Sequence, residues 1–239
     1  MRQQAQQIMQ ILEQAQYPVF FGGAGVSTDS GIPDFRGQDG LYRDGGEDAE
    51  DRLSADRLRR DPAGFFSYYR SHLLHPEARP NAVHTALAEL ERRGLLKAVI
   101  TQNIDGLHQM AGSERVIELH GSSRRNFCVS CGREYEAAFL MQANAVPRCA
   151  ACGGMVRPDV TLYGESPDGE SFADAEEQIA MADVLIVAGT SLTVQPAASL
   201  VTGFQGDTLI ILNDTPTEYD GLPDVIVRGN LTDFFESLL

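Results

Sequence analysis

The chain reads as an α/β protein: a mostly parallel sheet with helices on both faces, joined to a second, smaller unit. Three observations predict this. Short, largely apolar runs recur at 19–21, 98–101, 116–119, 184–188, 208–212 and 225–227. Such runs suit strands covered on both sides, which is the parallel-sheet situation. Helical spacing fills several of the intervals between them, and polar or glycine-bearing residues follow the ends of five of the runs. Ligands on parallel sheets bind at the carboxyl ends of strands, so those residues converge on one surface.

Taken in order, Ile8, Ile11, Leu12 and Ala15 lie at helical spacing and predict a short amphipathic helix. No apolar signal core follows the N-terminus, and no apolar run is long enough to cross a bilayer. A soluble cytoplasmic protein is the expectation. The first strand ends in Gly22-Gly23-Ala24-Gly25, glycines spaced to bring phosphates against bare backbone N–H groups. Thr28 stands where an ordinary dinucleotide fingerprint has its third glycine. The chain then runs through Gly31, Pro33 and Asp34-Phe35-Arg36 instead of entering a long helix. That departure suggests a nucleotide that is consumed and not only held. The acidic, glycine-rich stretch from Asp39 to Asp51 reads as a mobile loop beside the nucleotide.

Val83, Ala86, Leu87 and Leu90 predict a helix capped by Asn81. Gln102-Asn103-Ile104-Asp105 follows the second run and His120 the third. Phe172, Ala175, Ile179 and Ala182 predict another helix before the fourth run, which ends in Gly189-Thr190-Ser191. Pro196 suits a first helical turn, Asn213 follows the fifth run, and Asn230 or Thr232 is placed to cap a closing helix.

All four cysteines are Cys128, Cys131, Cys149 and Cys152, two C-x2-C pairs separated as in zinc ribbons. Disulfides fit poorly in a chain expected to be cytosolic, while an iron–sulfur or rubredoxin-like site stays open. Four thiolates leave zinc no position for substrate, so the metal is structural in this reading. His120 is the residue type suited to base catalysis near neutrality, although a lone histidine is more often structural. Asn103 and Asp105 can equally be turn residues with Gly106 past the bend, and His108 reads as a packing or surface residue. The net charge of -15, from 34 acids against 19 Lys plus Arg, opposes non-specific binding to nucleic acid or anionic membranes. It favours basic, Lys-rich partners, with plain solubility as the alternative. A nucleic-acid module built on the cysteines with Arg124, Arg125, Arg133 and Arg148 is disfavoured by the same charge.

Together the motifs resemble the sirtuin family. The likeness rests on Gly23, Gly25 and Ser27; on Ser30 through Arg36; on Thr101-Gln102-Asn103-Ile104-Asp105-Gly106-Leu107-His108; on Leu119-His120-Gly121; on the four cysteines; on Arg157-Pro158-Asp159 with Gly164-Glu165; and on Gly189-Thr190-Ser191-Leu192. The resemblance implies an NAD-dependent protein-lysine deacetylase that moves the acyl group to ADP-ribose, releasing nicotinamide and O-acetyl-ADP-ribose. A Rossmann-type domain from 1–36, 80–120 and 158–239 is implied, with a cofactor loop and helical insertion at 37–79 and a zinc module at 121–157. Gly23, Ala24, Gly25 and Ser27 would meet the phosphates, and Arg36 the ribose–phosphate region near Asp34. Phe35 would shield the reactive face, and Asp105 would bond the nicotinamide carboxamide beside Gln102 and Ile104. Asn103 would order water and ribose, with His120 as the general base. Gly189, Thr190, Ser191 and Asn213 would hold the adenosine end, with backbone near Leu231 against adenine.

An acyl-lysine peptide would pair as a strand with Val160, Thr161, Leu162 and Tyr163. Protein mono-ADP-ribosyltransfer and removal of longer or acidic acyl groups are the alternatives. The desuccinylating branch carries a Tyr-x-x-Arg pair before Pro-Asn-x-x-His; an ungapped alignment puts Phe66 and Tyr69 there, and a one-residue slip brings in Arg70. Without a cation a buried acyl carboxylate is unfavourable, so neutral acyl groups are expected.

Overall fold

The computed structural model describes residues 1–34, 40, 46–143 and 145–239. Among the described residues nine strands are formed: β1 (Pro18–Gly22), β2 (Ala98–Thr101), β3 (Val116–Glu118), β4 (Gly121–Cys128), β5 (Glu134–Glu136), β6 (Val156–Val160), β7 (Val184–Ala188), β8 (Thr208–Leu212) and β9 (Val225–Val227). Six of them build a parallel sheet in the order β3-β2-β1-β7-β8-β9. These six are the six apolar runs of the sequence. The chain leaves β1 toward β2 and β3, then returns to the other side of β1 at β7. Strand order therefore reverses between β1 and β7, and a crevice opens at their carboxyl ends.

Period-two alternation places the core on both faces. Phe20 joins Ile8, Leu12, Leu87 and Phe235 on one face, beneath helices Arg2–Gln14, Ala82–Arg92 and Leu231–Leu238. Val19 and Phe21 point the other way, into Ala175, Ile179 and Leu200 from helices Gly169–Met181 and Ala197–Thr202. The helix starts follow the expected chemistry. Asn81 Oδ1 accepts from Val83 N–H at 2.9 Å, and Asn230 Oδ1 accepts from Asp233 N–H at 3.0 Å. Asp183 accepts from the N–H groups of Gln16 and Tyr17 and so fixes the entry to β1.

The second unit is an antiparallel sheet, β5-β4-β6, whose strands carry no apolar run. Its core is shared with the helical insertion: Leu58, Phe65, Phe66 and Tyr69 pack with Leu140, Val156 and the buried Cys128 and Cys149. Strand β6 runs across the boundary expected at 157/158. One expectation is corrected: within the acidic stretch read as a mobile loop, Gly46–Arg52 is a helix. Helix Ala55–Arg60 follows it, capped by Ser54 Oγ. Charge alone misled because Asp51, in the last turn of that helix, pairs with Arg57 and Arg60 of the next one.

Candidate functional site

The crevice at the switch between β1 and β7 is a cleft of about 1440 Å³ that reaches across to the second unit. Its floor depends on two loops in backbone contact. Gly23 N–H donates to Ala188 C=O at 3.1 Å and Gly25 N–H to Gly189 C=O at 2.8 Å. A Cβ on Gly25 would stand 2.8 Å from Gly189 Cα, and one on Gly23 2.7 Å from Thr190 Cβ. These glycines are demanded by the neighbouring loop as well as by any ligand.

Every described residue expected to touch dinucleotide or peptide lines this one cleft: Gly23, Ala24, Gly25, Ser27, Asp34, Gln102, Asn103, Ile104, Asp105, His120, Val160, Thr161, Leu162, Tyr163, Gly189, Thr190, Ser191, Asn213 and Leu231. The expected contacts of Phe35 and Arg36 lie outside the described residues.

A polar network occupies the centre. Ser27 Oγ–H donates to Asp105 Oδ2 at 2.7 Å, and Asn103 Nδ2 donates to Ser27 Oγ and to Gly23 C=O, each at 3.1 Å. Asp105 Oδ1 accepts from Leu107 N–H at 2.8 Å, an Asx turn completed by Gly106 at φ 70°. The turn reading and the site reading of this segment therefore describe the same residues. Half-buried His120 holds its Nδ1 2.9 Å from Gln102 C=O. A carbonyl accepts, so Nδ1 carries the proton and Nε2 is left basic. Burial pushes the His120 pKa down, and the bond to Gln102 opposes that only in part. At the other end Thr190 N–H donates to Asn213 Oδ1, and Asn213 Nδ2 donates back to Thr190 C=O. Thr190 Oγ1 accepts from Gln102 Nε2 at 3.0 Å and so ties the two ends together.

Residues that the sequence left unread complete the site. In the pairing of β4 with β6, Ser122 faces Asp159 while Asn126 faces Pro158, so three residues of β4 bulge out. Two of them reach the Asp105 loop. Ser123 donates from N–H and Oγ to Ile104 C=O, and Arg124 Nε donates to Asp105 C=O at 2.8 Å. Arg125 bonds Glu118 and Asp159 instead. The arginines weighed for nucleic acid thus include two that serve internal contacts. His108 is buried, without a surface role, and lies against His84. The edge expected to receive peptide is partly occupied: Tyr163 N–H donates to Leu53 C=O, and Tyr163 C=O accepts from Ala55 N–H. Phe66 and Tyr69 lie in the core of the second unit, and Arg70 donates to Ala145 C=O.

The four cysteine sulfurs lie within 4.8 Å of one another, all free thiols, two buried and two exposed. Backbone N–H groups of Ser130 and Ala151 point at Cys128 and Cys149, and Tyr135 O–H donates to Cys149 Sγ at 3.1 Å. A soft, compact S4 set converging from two knuckles fits zinc. The cleft likewise fits a dinucleotide, with hydrogen-bonding groups at both ends and glycine backbone between.

A doubly wound sheet with a cleft at its switch point and a four-thiol ribbon beside it defines a nucleotide-binding α/β protein with a structural metal module. The comparisons with known proteins make this particular. The profile of the Sir2 family matches residues 23–196. An NAD-dependent protein deacetylase of Cutibacterium acnes is 52% identical over 95% of this chain and 93% of its own, and one of Clostridium perfringens is 45% identical over 94% and 93%. Among solved structures, one described as Sir2 with a p53 peptide and NAD+ superposes with a TM-score of 0.85 at 35% identity, covering 96% of this chain and 95% of that one. Another, from work on the mechanism and regulation of Sir2 enzymes, gives 0.88 at 39% identity over 100% and 97%. The chain belongs to the Sir2 family.

Proposed function

We infer that this chain is an NAD-dependent protein-lysine deacetylase, passing the acetyl group to ADP-ribose with release of nicotinamide. Near-full-length likeness to bacterial NAD-dependent protein deacetylases supports it. The observation that carries it is the arrangement in one cleft of a basic His120 Nε2 and the Asp105–Ser27–Asn103 network.

NAD supplies the glycosidic bond whose cleavage makes the sugar an acceptor for the amide oxygen. The protein's part is positional. Asp105, oriented by Leu107 N–H at Oδ1, offers Oδ2 to the carboxamide N–H of nicotinamide. Asn103, fixed by its bonds to Gly23 and Ser27, orders the ribose side. His120, whose Nδ1–H is anchored on Gln102, takes a proton from a ribose hydroxyl at Nε2. Thr190 and Asn213 hold the adenosine end, with Gly189, Ser191 and the backbone at Leu231. The peptide lies along 160–163, where Leu53, Ala55, His120 and Glu165 already bond several of the backbone groups.

Acetylated protein segments are the substrates. Among the described lining residues the only Lys or Arg is Arg124, against Asp29, Asp34, Asp105, Glu165 and Asp214. That balance favours basic flanking residues and a neutral acyl group, because no described cation is free to meet a buried acyl carboxylate. A cytoplasmic location belongs to the same proposal, since two C-x2-C pairs gathered into one tetrad suit metal binding in a reducing compartment better than disulfides.

The test is mass spectrometry of acetyl- and succinyl-lysine peptides incubated with and without NAD+. Unmodified lysine, nicotinamide and O-acetyl-ADP-ribose are expected from the acetyl peptide alone. Peptide gaining ADP-ribose would favour protein mono-ADP-ribosyltransfer, and faster loss of succinyl would overturn the acyl preference.

A further inference from the structure

We propose that Asn81 is a positioning residue that holds His84 in one tautomer and thereby gives the Ser27 hydroxyl a second acceptor, so that Asp105 can be released to an incoming amide N–H. The ligand half of this rests on the deacetylase reading; the tautomer half does not.

Asn81 is oriented without ambiguity. Its Nδ2 donates to Val26 C=O at 2.8 Å and its Oδ1 accepts from Val83 N–H at 2.9 Å, so exchanging the two atoms would break both bonds. His84 Nδ1 then lies 2.9 Å from an atom that can only accept. Asn81 N–H also lies 3.3 Å from the same Nδ1 and would call for a lone pair there. The two contacts demand opposite protonation. The shorter one decides, because two lone pairs facing at 2.9 Å repel, whereas the backbone contact is at the long end of hydrogen bonding. Nδ1 carries the proton, and Nε2 presents a lone pair toward Ser27 Oγ at 3.5 Å.

Ser27 has one proton, bonded to Asp105 Oδ2 at 2.7 Å, and His84 Nε2 stands 3.5 Å from the same hydroxyl oxygen, a second acceptor that a small shift brings into bonding range. Asn103 Nδ2 occupies one lone pair of the hydroxyl oxygen. With the opposite tautomer, His84 would donate into the other lone pair and pin the hydroxyl proton on Asp105. With Nε2 accepting, the hydroxyl can turn away when a carboxamide N–H takes the Asp105 oxygen. The groups around His84 are Asp105 and Ser27 from the loops after β2 and β1, Asn81 from its own cap, and His108, whose ring centroid is 4.7 Å away. His84 is fully buried, and its pKa is lowered to about 4 by burial, with Asp105 opposing, so it is uncharged at neutral pH.

Imidazole nitrogen NMR on the full-length, zinc-loaded protein with 15N-labelled histidine reads this directly. His84 is expected with Nδ1 protonated in the free protein. Nicotinamide should then shift Nε2 in the direction of a hydrogen-bonded acceptor. Asn81→Ala should give a mixture of tautomers and raise KM for NAD+ about tenfold, the scale of one lost hydrogen bond. Asn81→Asp, which keeps an acceptor beside Nδ1, should restore the single tautomer. A proton on Nε2 in the free protein would overturn the proposal. A single Nδ1–H tautomer in Asn81→Ala would remove Asn81 from it. An Nε2 indifferent to nicotinamide would overturn the release of Asp105 while leaving the deacetylase reading intact.

Discussion

At the scale of single residues, the site works through fixed tautomers and burial. His120 touches the reacting atoms in the proposed chemistry, yet among the described residues its imidazole is hydrogen-bonded to Gln102 C=O alone. His120→Ala should therefore fold normally and bind NAD+, while turnover falls by about 10²–10⁴. Equal turnover in a preparation free of wild-type enzyme would remove it from the mechanism. Because burial lowers its pKa, the acid limb of kcat/KM should fall below pH 6.5. The interior pair His84 and His108 gives a separate prediction about stability. Burial lowers them to about 4 and about 3, from an ordinary 6.5, with His84 opposing a proton on His108. The unfolded chain takes up these protons first as pH falls, so their stabilisation is complete above 6.5 and lost downward through 4 and 3. Melting temperature should drop between pH 7 and pH 5, and His108→Gln should flatten that slope even if it lowers the plateau.

Secondary-structure elements show what the sequence made legible. The six runs 19–21, 98–101, 116–119, 184–188, 208–212 and 225–227 became the six parallel strands, because burial on both faces leaves an unmistakable apolar signature. The caps at Asn81 and Asn230 were readable for the same local reason. Strand β4 was not: Gly-Ser-Ser-Arg-Arg-Asn-Phe-Cys lacks clean alternation, since its bulge turns Ser123 and Arg124 toward another loop. Their role at Asp105 arises only when the two sheets meet, which no local pattern records. The segment 160–165 is held by Arg157, whose guanidinium bonds Val160 C=O and Glu165, while Leu162 N–H donates to the same carboxylate. Burial alone would raise the Glu165 carboxyl, but these bonds carry it below its usual range. Arg157→Ala should cost about 1–3 kcal/mol in urea unfolding and raise KM for peptide more than for NAD+. Equal effects on both would show the clamp to be purely structural.

Across the whole molecule, the metal module and the chemistry share one piece of backbone. Removing zinc by a strong chelator should unfold the β5-β4-β6 sheet and abolish turnover, while helix content from the large sheet's layers largely persists by circular dichroism. Activity surviving complete loss of metal would separate the two. The charge of -15 should be felt in encounter, so that acetylated peptides rich in lysine gain kcat/KM at low salt and lose the advantage as salt rises. A flat salt response would assign the acidity to solubility.

The eight residues of β4 begin beside His120, bulge onto the loop of Asp105 and finish at Cys128. Side chains in a strand alternate sides at each step. Adding or deleting a single residue between 121 and 128 would therefore rotate Cys128 out of its tetrad or swing Ser123 and Arg124 off their carbonyls. Length along this stretch is consequently forbidden ground for evolution and for protein engineers. Anyone exchanging the ribbon between relatives must splice outside 121–160.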